Sequence, residues 1–342
     1  MEAIILAGGF GTRLRPLTYT RAKSLLPIMN KPMISYLIDM LPPEVDTVIL
    51  AANYKKHQLE SYFESLNSDK TFIVNEEPEP LGTGGAVKFA EQYLTDEFFV
   101  LNSDIICSLN LSDMITFHRN QHSVATISLW PVDNVSEFGV AEIQNQGKIT
   151  RFVEKPKQED APSNLINAGA YLLDLSILDY IEKGSLISME KEIFPQIIED
   201  TEKFYGFQFN GFWMDIGRIK SYLDVHSYLL SLQKKTNHLG NNIDNKGTTT
   251  NTVIGSNVTI GQNTIITNSI ILNNAYIEEN SVLSSCVIGE DSHIGSSSKL
   301  TSVVVGDNEH IAPHTIEKHT AIWTQQIPKE YPKKQIGNVI GE

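Results

Sequence analysis

Ala3-Ile4-Ile5-Leu6-Ala7-Gly8-Gly9-Phe10-Gly11-Thr12-Arg13-Leu14-Arg15-Pro16-Leu17-Thr18, with Lys23 shortly after, decides how the first two thirds of the chain is built. The apolar run Ala3–Ala7 reads as a short buried strand of a parallel sheet. Three glycines in the four positions that follow let the backbone approach a ligand closely and turn its N–H groups toward an anion. Arg13, Arg15 and Lys23 then bring two guanidinium groups and an ammonium. A glycine loop followed by cations is the chemistry of polyphosphate binding. The loop is not of the Walker type, because no Gly-Lys-Ser/Thr follows it. Nor is it a dinucleotide fingerprint, since Leu14 stands where the third glycine of G-x-G-x-x-G belongs.

Outward from this loop, strands and helices alternate. Thr47–Ala51, Phe72–Val74 and Phe98–Leu101 read as further strands. Pro32–Met40, Lys55–Leu66 and Gly84–Leu94 read as helices, the first with proline in its opening turn. That alternation predicts a doubly wound, Rossmann-like α/β sheet, mostly parallel, with ligands at the carboxyl ends of its strands. Between Val124 and Phe152 the runs shorten and become more β-like, which points to an antiparallel portion. Ser176–Ile181, Glu190–Glu199 and Arg218–Leu232 read as later helices.

After Lys234 the composition turns to Asn, Thr and Gly, a linker or a frayed first coil. A repeat then begins. Ile254, Ile260, Ile266, Ile271, Ile277, Leu283, Ile288, Ile294, Leu300, Val305 and Ile311 recur in steps of six, six and five until Glu317 breaks the register. Of twelve positions, eleven are Ile, Leu or Val, where ordinary composition would fill about half. Small or β-branched residues recur four positions later, as at Val258, Thr264, Ala275 and Ser281. This is the hexapeptide pattern of a three-sided parallel β-helix with one apolar side chain per face pointing inward. The domain expectation is therefore residues 1–234, a linker at 235–250, a β-helix at 251–321 and a polar tail at 322–342.

A net charge of −14 disfavours nucleic acid or an anionic membrane as a partner. Any phosphate ligand must then be held by a local cationic patch, which the opening loop supplies. Cys107 and Cys286 lie far apart, so no disulfide framework is expected and a reducing cytoplasm is the default. The N-terminus carries no signal-peptide pattern, and no apolar run approaches a membrane span.

The G-x-G-T-R-L stretch with its downstream lysine resembles the sugar nucleotidyltransferases, and the resemblance runs in order from residue 3 to about 220. It implies transfer of a nucleoside monophosphate from an NTP to a sugar 1-phosphate, with pyrophosphate leaving. It also implies the left-handed sense of the β-helix. By this resemblance Leu6, Gly8, Gly9, Gly11 and Thr12 hold the nucleotide, Arg13 the triphosphate, and Lys23 reaches the α-phosphate. Ala22 stands where the family usually has proline, a change expected to loosen the loop. Asp104 in Leu101-Asn102-Ser103-Asp104 and Asp215 in Trp213-Met214-Asp215-Ile216-Gly217 correspond to the pair that binds Mg2+. Glu79, Gly82 and Thr83, in Glu79-Pro80-Leu81-Gly82-Thr83-Gly84-Gly85-Ala86, correspond to the base-binding loop, whose glycines would let a flat base lie against the backbone. Gly139, Glu154, Lys155 and Asn167 correspond to the sugar side, with Lys155 meeting the sugar phosphate.

Within the family, Glu76–Thr83 followed by a hexapeptide domain is most similar to the members that join GTP to mannose 1-phosphate. Thymidylyl- and uridylyltransferases acting on glucose 1-phosphate share nearly all the same motifs. Two readings of other classes stand beside these. His293, His310 and His314 on the repeat leave open an acyltransferase, and a regulatory subunit that binds nucleotide sugars without turnover is a third. Retention of Arg13, Lys23, Asp104 and Asp215 speaks for catalysis. With every site residue at or before Asp215, the repeat is expected to hold a homo-oligomer together and to steady the last helix of the catalytic domain.

Overall fold

Apolar runs buried on both faces need a sheet covered on both sides, and the computed structural model of the chain, which describes residues 1–52 and 54–328, provides one. Strands β1 (Glu2–Leu6), β2 (Thr47–Ala52), β3 (Thr71–Glu76) and β4 (Phe98–Asn102) run parallel, in the order β3-β2-β1-β4. Ile4 pairs with Ile49 on one side and Val100 on the other, and all three are fully buried. The carboxyl ends of these strands therefore share one edge. Beyond β4 the sheet turns antiparallel. Strands β5 (Ala125–Pro131), β6 (Gly139–Ile143), β7 (Ile149–Glu154) and β8 (Leu165–Leu173) extend it, and β9 (Phe204–Gln208) pairs in parallel with β5. Tyr171 on β8 lies opposite Val100 on β4, and β6 and β7 form a hairpin. The nine-stranded sheet is thus mixed, its antiparallel half falling in and beyond the stretch where the sequence runs shorten.

Phe194 anchors the core of this sheet. Its ring meets those of Phe152, Tyr171 and Phe204 at centroid separations of 5.2–5.3 Å. Fully burying a side chain of this size contributes about 1.5–3 kcal/mol, and each aromatic pair roughly 0.5–1.5 kcal/mol more. The sequence reading assigns no element to Leu111–Asn120, which is a helix. Asn110 caps it, accepting from the backbone N–H groups of Ser112 and Asp113, and Leu111, Met114, Ile115 and His118 are its buried side. The expected helix at 190–199 starts as a π-turn at Met189–Ile193 and continues as Phe194–Asp200.

The chain divides into two compact units. One comprises Met1–Gly9 and Ile34–Trp213 and contains the mixed sheet; the other comprises Phe10–Met33 and Met214–Glu342. The second contains the helix Ile219–Leu232 and the parallel β-helix. All eleven inward positions from Ile254 to Ile311 are buried, none more than 5% exposed. Rungs repeat at 17 residues, as in Ile260↔Ile277↔Ile294↔Ile311. Successive corners at Asn257, Asn263, Asn268, Asn274 and Asn280 carry φ between 49° and 59°. Asparagine tolerates that left-handed conformation better than most side chains.

Two boundaries differ from the sequence reading. Residues 235–250 carry three short strands, Asn237–Leu239, Asp244–Asn245 and Thr248–Thr250, each paired to the next coil. Of the two readings its composition allows, this segment is the first coil and not a linker. In register with the inward Ile254, Ile260 and Ile266 it holds Leu239, Asn245 and Thr249, the first two exposed, and its first two strands lie 15 residues, not 17, from their partners. Polar filling and a shortened corner hide the repeat. At the other end, Glu317 sits within a seven-residue strand, Ile316–Ile322, paired to Lys299–Val305. Coiling thus continues past the register break. The expected tail begins with anchored residues: Trp323 packs on Tyr19 and Gln325 donates to the Asp307 carbonyl. Residues 329–342 of that tail lie outside the described residues.

Candidate active site

Gly8 and Gly9 follow β1 at the carboxyl edge of the parallel strands, after Ala7 donates its N–H to the Ala51 carbonyl at 2.9 Å. A methyl group added at Gly9 would meet nothing within 4 Å, and one at Gly8 only the Ala51 carbonyl at 3.8 Å. The protein's own packing therefore does not demand glycine here. Close approach of a ligand would. Leu6, the last residue of β1, is half-buried, and its carbonyl accepts from Ser103 N–H at 3.3 Å. That bond fixes the turn that carries the half-buried Asp104 just past the end of β4.

Further around the same unit, β8 breaks its register against β5 between Asn167 and Tyr171. Such bulges re-aim side chains and recur beside active sites. Here Gly169 adopts φ +82°, and a methyl on it would sit 2.8 Å from Asn102 Nδ2, so the bulge lies against the end of β4. Asn167 accepts from Gly169 N–H at 3.0 Å and donates to the Tyr171 hydroxyl at 2.8 Å. Tyr171 donates in turn to Glu190 at 3.0 Å. Glu190 also accepts from the hydroxyls of Thr83 and Ser188, both at 2.7 Å. The sequence marks Glu190 only as the start of a helix. Its role as the hub of this network depends on contacts 19 and 107 residues away, which no local pattern records.

Glu154, at the end of β7, is half-buried beside Gly139 on β6. A methyl at Gly139 would lie 2.8 Å from the Glu154 carboxylate and would clash with the Phe152 ring. Glycine makes room for the acid. Burial, and then the neighbouring Glu190 charge, push the Glu154 carboxyl above its ordinary range, against the pull of Lys155. Lys155 reaches Glu154 at 3.5 Å, with its side chain 60% exposed, in the left-handed region at φ 49°.

The loop at 79–86 has a different local cause from the one expected. Glu79 and Gly82 are exposed. At φ +73°, Gly82 would place a methyl 2.6 Å from the Ile187 carbonyl, and one on Gly85 would lie 2.6 Å from the Ser185 carbonyl. Ile187 accepts from the N–H groups of both Gly84 and Gly85, while Thr83 accepts from Met189 N–H at 2.9 Å. These glycines seat the segment Ser185–Ile187 against the loop. Glu77 is buried below it, accepting from Leu81 N–H at 3.2 Å, and burial raises its carboxyl above the ordinary range.

In the second unit, Gly11 adopts φ +61°, with the Thr18 hydroxyl donating to its carbonyl at 2.9 Å. A methyl there would sit 2.8 Å from Thr18 Cγ2 and 3.2 Å from Lys23 Cβ. Thr12 and Arg13 are exposed in the short 3-10 turn Thr12–Leu14, and Lys23 is half-buried at the start of another, Lys23–Leu25. Ala22 is buried at φ −60°, the value a proline ring would impose, so it holds that geometry without the ring. Arg13 and Asp215 crowd the same point: a methyl on Gly217 would lie 2.7 Å from Asp215 Oδ1 and 3.0 Å from Arg13 Nη2.

Asp104 and Asp215 offer carboxylate oxygen only. Among the described residues no group of three or more His, Cys, Asp and Glu side chains forms a metal cluster. Carboxylate oxygen from either residue suits Mg2+, which keeps several waters and takes one or two carboxylates with substrate phosphates. It does not fit zinc. His293, the base an acyltransferase reading would use, is engaged with Glu278 at 2.9 Å and packs between Tyr276 and His310.

A glycine loop open to a ligand, a cationic segment directly after it and carboxylates at strand ends are parts of a nucleotidyl-transfer enzyme, and the nucleotidyl transferase family model matches residues 2–231. The chain belongs to that family. A model of the GMPPB C-terminal domain matches residues 240–336. Among curated proteins the chain is 45% identical over 248 residues to a protein of Arabidopsis thaliana provisionally named mannose-1-phosphate guanylyltransferase 2, covering 69% of this chain and 67% of that one. It is 42% identical over 245 residues to mannose-1-phosphate guanyltransferase of Yarrowia lipolytica, covering 69% and 66%. Among solved structures it is similar to a Bacillus anthracis protein provisionally described as a glucose-1-phosphate thymidylyltransferase. There the TM-score is 0.59 at 26% identity, over 66% of this chain and 93% of that one.

Proposed function

We propose that this nucleotidyltransferase joins GTP to mannose 1-phosphate, releasing pyrophosphate and forming GDP-mannose. One observation carries the choice of substrates: the relatives at 42–45% identity are named for that reaction. The sugar phosphate is already an anion, so its oxygen attacks the α-phosphorus without a general base. The enzyme's task is to bring two polyanions together and stabilise charge as pyrophosphate leaves. Backbone N–H groups at Gly8, Gly9 and Gly11, with Leu6 and Thr12 beside them, receive the nucleotide. Arg13 holds the triphosphate and Lys23 the α-phosphate. Glu79, Gly82 and Thr83 frame the base. Gly139 leaves room for Glu154, which with Asn167 hydrogen-bonds the sugar hydroxyls, while Lys155 meets the sugar phosphate. Asp104 and Asp215 would hold Mg2+, which when bound supplies neutralisation of phosphate charge.

The same reading makes the enzyme cytoplasmic and homo-oligomeric. Both cysteines are free, and no helix among the described residues is long and apolar enough to cross a membrane. Ile265, Val282 and Ile316 are 47%, 38% and 65% exposed along one register of the β-helix, which Lys299 interrupts between the last two, and this partly apolar face supports association. The test is a pyrophosphate-release assay crossing four NTPs with mannose, glucose and N-acetylglucosamine 1-phosphates. GTP with mannose 1-phosphate should give the highest kcat/KM, because a base edge left unpaired penalises the wrong nucleotide. A clear preference for TTP or UTP with glucose 1-phosphate would overturn the choice.

A further inference from the structure

One corner of the β-helix repeats at 17-residue intervals as Ser256, Asn273, Glu290 and Asp307. The corner has a structural task, visible at Asn273, whose Oδ1 accepts from Ser256 N–H of the preceding coil at 2.8 Å. Asp307 performs the same task with one oxygen, accepting from Glu290 N–H at 2.7 Å. An asparagine would suffice for that. The second oxygen of Asp307 does something else: it accepts from the Thr20 hydroxyl at 2.5 Å and lies 3.6 Å from the Arg21 guanidinium. Glu290, on the coil before, forms an ion pair with the same Arg21 nitrogen. The corner is neutral in the two earlier coils and acidic only in the two that meet Arg21.

These are not loose surface pairs. The side chains of Arg21, Glu290 and Asp307 are 18%, 29% and 5% exposed, so the charges interact with limited screening. Thr20 and Arg21 end the short helix Leu17–Thr20, and Thr18 at its centre is the residue bonded to Gly11. On the other side, Arg21 is separated from Lys23 only by the buried Ala22, whose carbonyl accepts from Leu25 N–H at 2.9 Å. A continuous set of short contacts therefore runs from the coil corner to Gly11 and to Lys23. The same segment is held at its far end by Asn30, which donates to the Ile254 carbonyl at 2.8 Å, and by Pro27, which accepts from Tyr222 at 2.6 Å.

We propose that Glu290 and Asp307 are positioning residues for nucleotidyl transfer, clamping Thr20 and Arg21 so that Gly11 and Lys23 stand preorganised for the triphosphate; this rests on the function proposed above. Neither acid touches substrate. Their effect is on the placement of residues that do, and preorganised donors lose much of their value when displaced.

The test uses full-length Asp307→Asn and Glu290→Gln. Asp307→Asn keeps the corner bond, as Asn273 shows, and removes only the charge facing the segment. Two readouts are needed. Amide hydrogen exchange over residues 11–26, without substrate, reports whether the segment is held. Steady-state transfer with GTP and mannose 1-phosphate reports the consequence. Exchange in 11–26 should quicken about 10–10²-fold, the scale of one lost hydrogen bond to a charged group, with coil amides unchanged. The kcat/KM for GTP should fall by about as much, with the KM for mannose 1-phosphate unchanged. Unchanged exchange in both variants would overturn the clamp, whatever the activity. Faster exchange with wild-type kinetics would show a segment held for another purpose and overturn the positioning role. A parent enzyme inactive in the full substrate matrix would remove the function and this role with it, a failure separate from the exchange result.

Discussion

Gly9 and Gly11 are two residues apart, yet the structure gives them opposite reasons to be glycine, and alanine at each separates ligand from fold. Gly9 lies outside the left-handed region and a methyl on it meets nothing within 4 Å. Gly9→Ala should therefore leave stability unchanged or raise it by about 0.4–1 kcal/mol through a less flexible unfolded chain. In a protein of this size that is a rise of roughly 1–4 °C in Tm. If a triphosphate rests against this backbone, the same methyl displaces it, and kcat/KM for the NTP should drop about 10²–10³-fold, as when one preorganised donor is lost. Gly11→Ala meets the left-handed penalty of roughly 1–2 kcal/mol and a methyl only 2.8 Å from Thr18 Cγ2, which adds about 1–3 kcal/mol of overpacking. Its Tm should fall by roughly 4–20 °C, with activity falling because Thr18 and Lys23 must shift. Thermal unfolding and pyrophosphate release on the two purified variants decide the matter. Full kcat/KM in Gly9→Ala would refute close approach of the nucleotide to this loop. A destabilised Gly9→Ala would refute the open space on which the argument stands.

Lys23→Ala should lower kcat by about 10²–10³; wild-type turnover in the purified variant would remove the role assigned to the ammonium. Chelation with EDTA should abolish transfer and added Mg2+ or Mn2+ restore it, and full activity in excess chelator would exclude a metal held by Asp104 and Asp215. Glu154 should show a pH-dependent trade between stability and function. Its carboxyl is raised by burial and by Glu190, so the folded state binds the proton more tightly than the unfolded chain. Its charge then opposes folding increasingly as pH rises from the ordinary carboxylate value, about 4.3, through the raised one. Glu154→Gln should accordingly raise Tm at pH 7 but not at pH 3.5, and raise the KM for sugar phosphate; an equal change in Tm at both pH values would contradict the burial argument.

What the sequence made legible was whatever depends on neighbours along the chain. Ile4, Ile49 and Val100 announce buried strands because both faces of each run are apolar, and Ile254 to Ile311 announce a β-helix because a coil must place one inward residue per face. Asp104 could be placed at a strand end for the same reason. What stayed hidden depends on partners far away in sequence. Glu190 serves Thr83 and Tyr171. Gly82 and Gly85 make room for the Ile187 and Ser185 carbonyls. The first coil stayed undecided between coil and linker for a different reason: Asn245 and Thr249 stand in register with Ile260 and Ile266, at places that the apolar pattern fills with Ile or Leu.

The least legible feature is also the one that alters the division of labour expected from the sequence. Residues at or before Asp215 were expected to carry the chemistry, leaving the repeat to association and to steadying a helix. Phe10–Met33, however, forms one compact unit with the β-helix, and contacts such as Arg21–Glu290 and Asn30–Ile254 span 269 and 224 residues. A β-helix suits this task for a physical reason. Its inward residues and rung hydrogen bonds fix the coil, so a corner side chain can change from asparagine to an acid without disturbing the interior. A corner position such as Asp307 can thus keep its bond to the preceding coil and still present charge at a fixed place. The rigidity that makes the repeat easy to recognise would let it steady the segment that carries Gly11 and Lys23, beyond what the Thr18–Gly11 bond within that segment supplies.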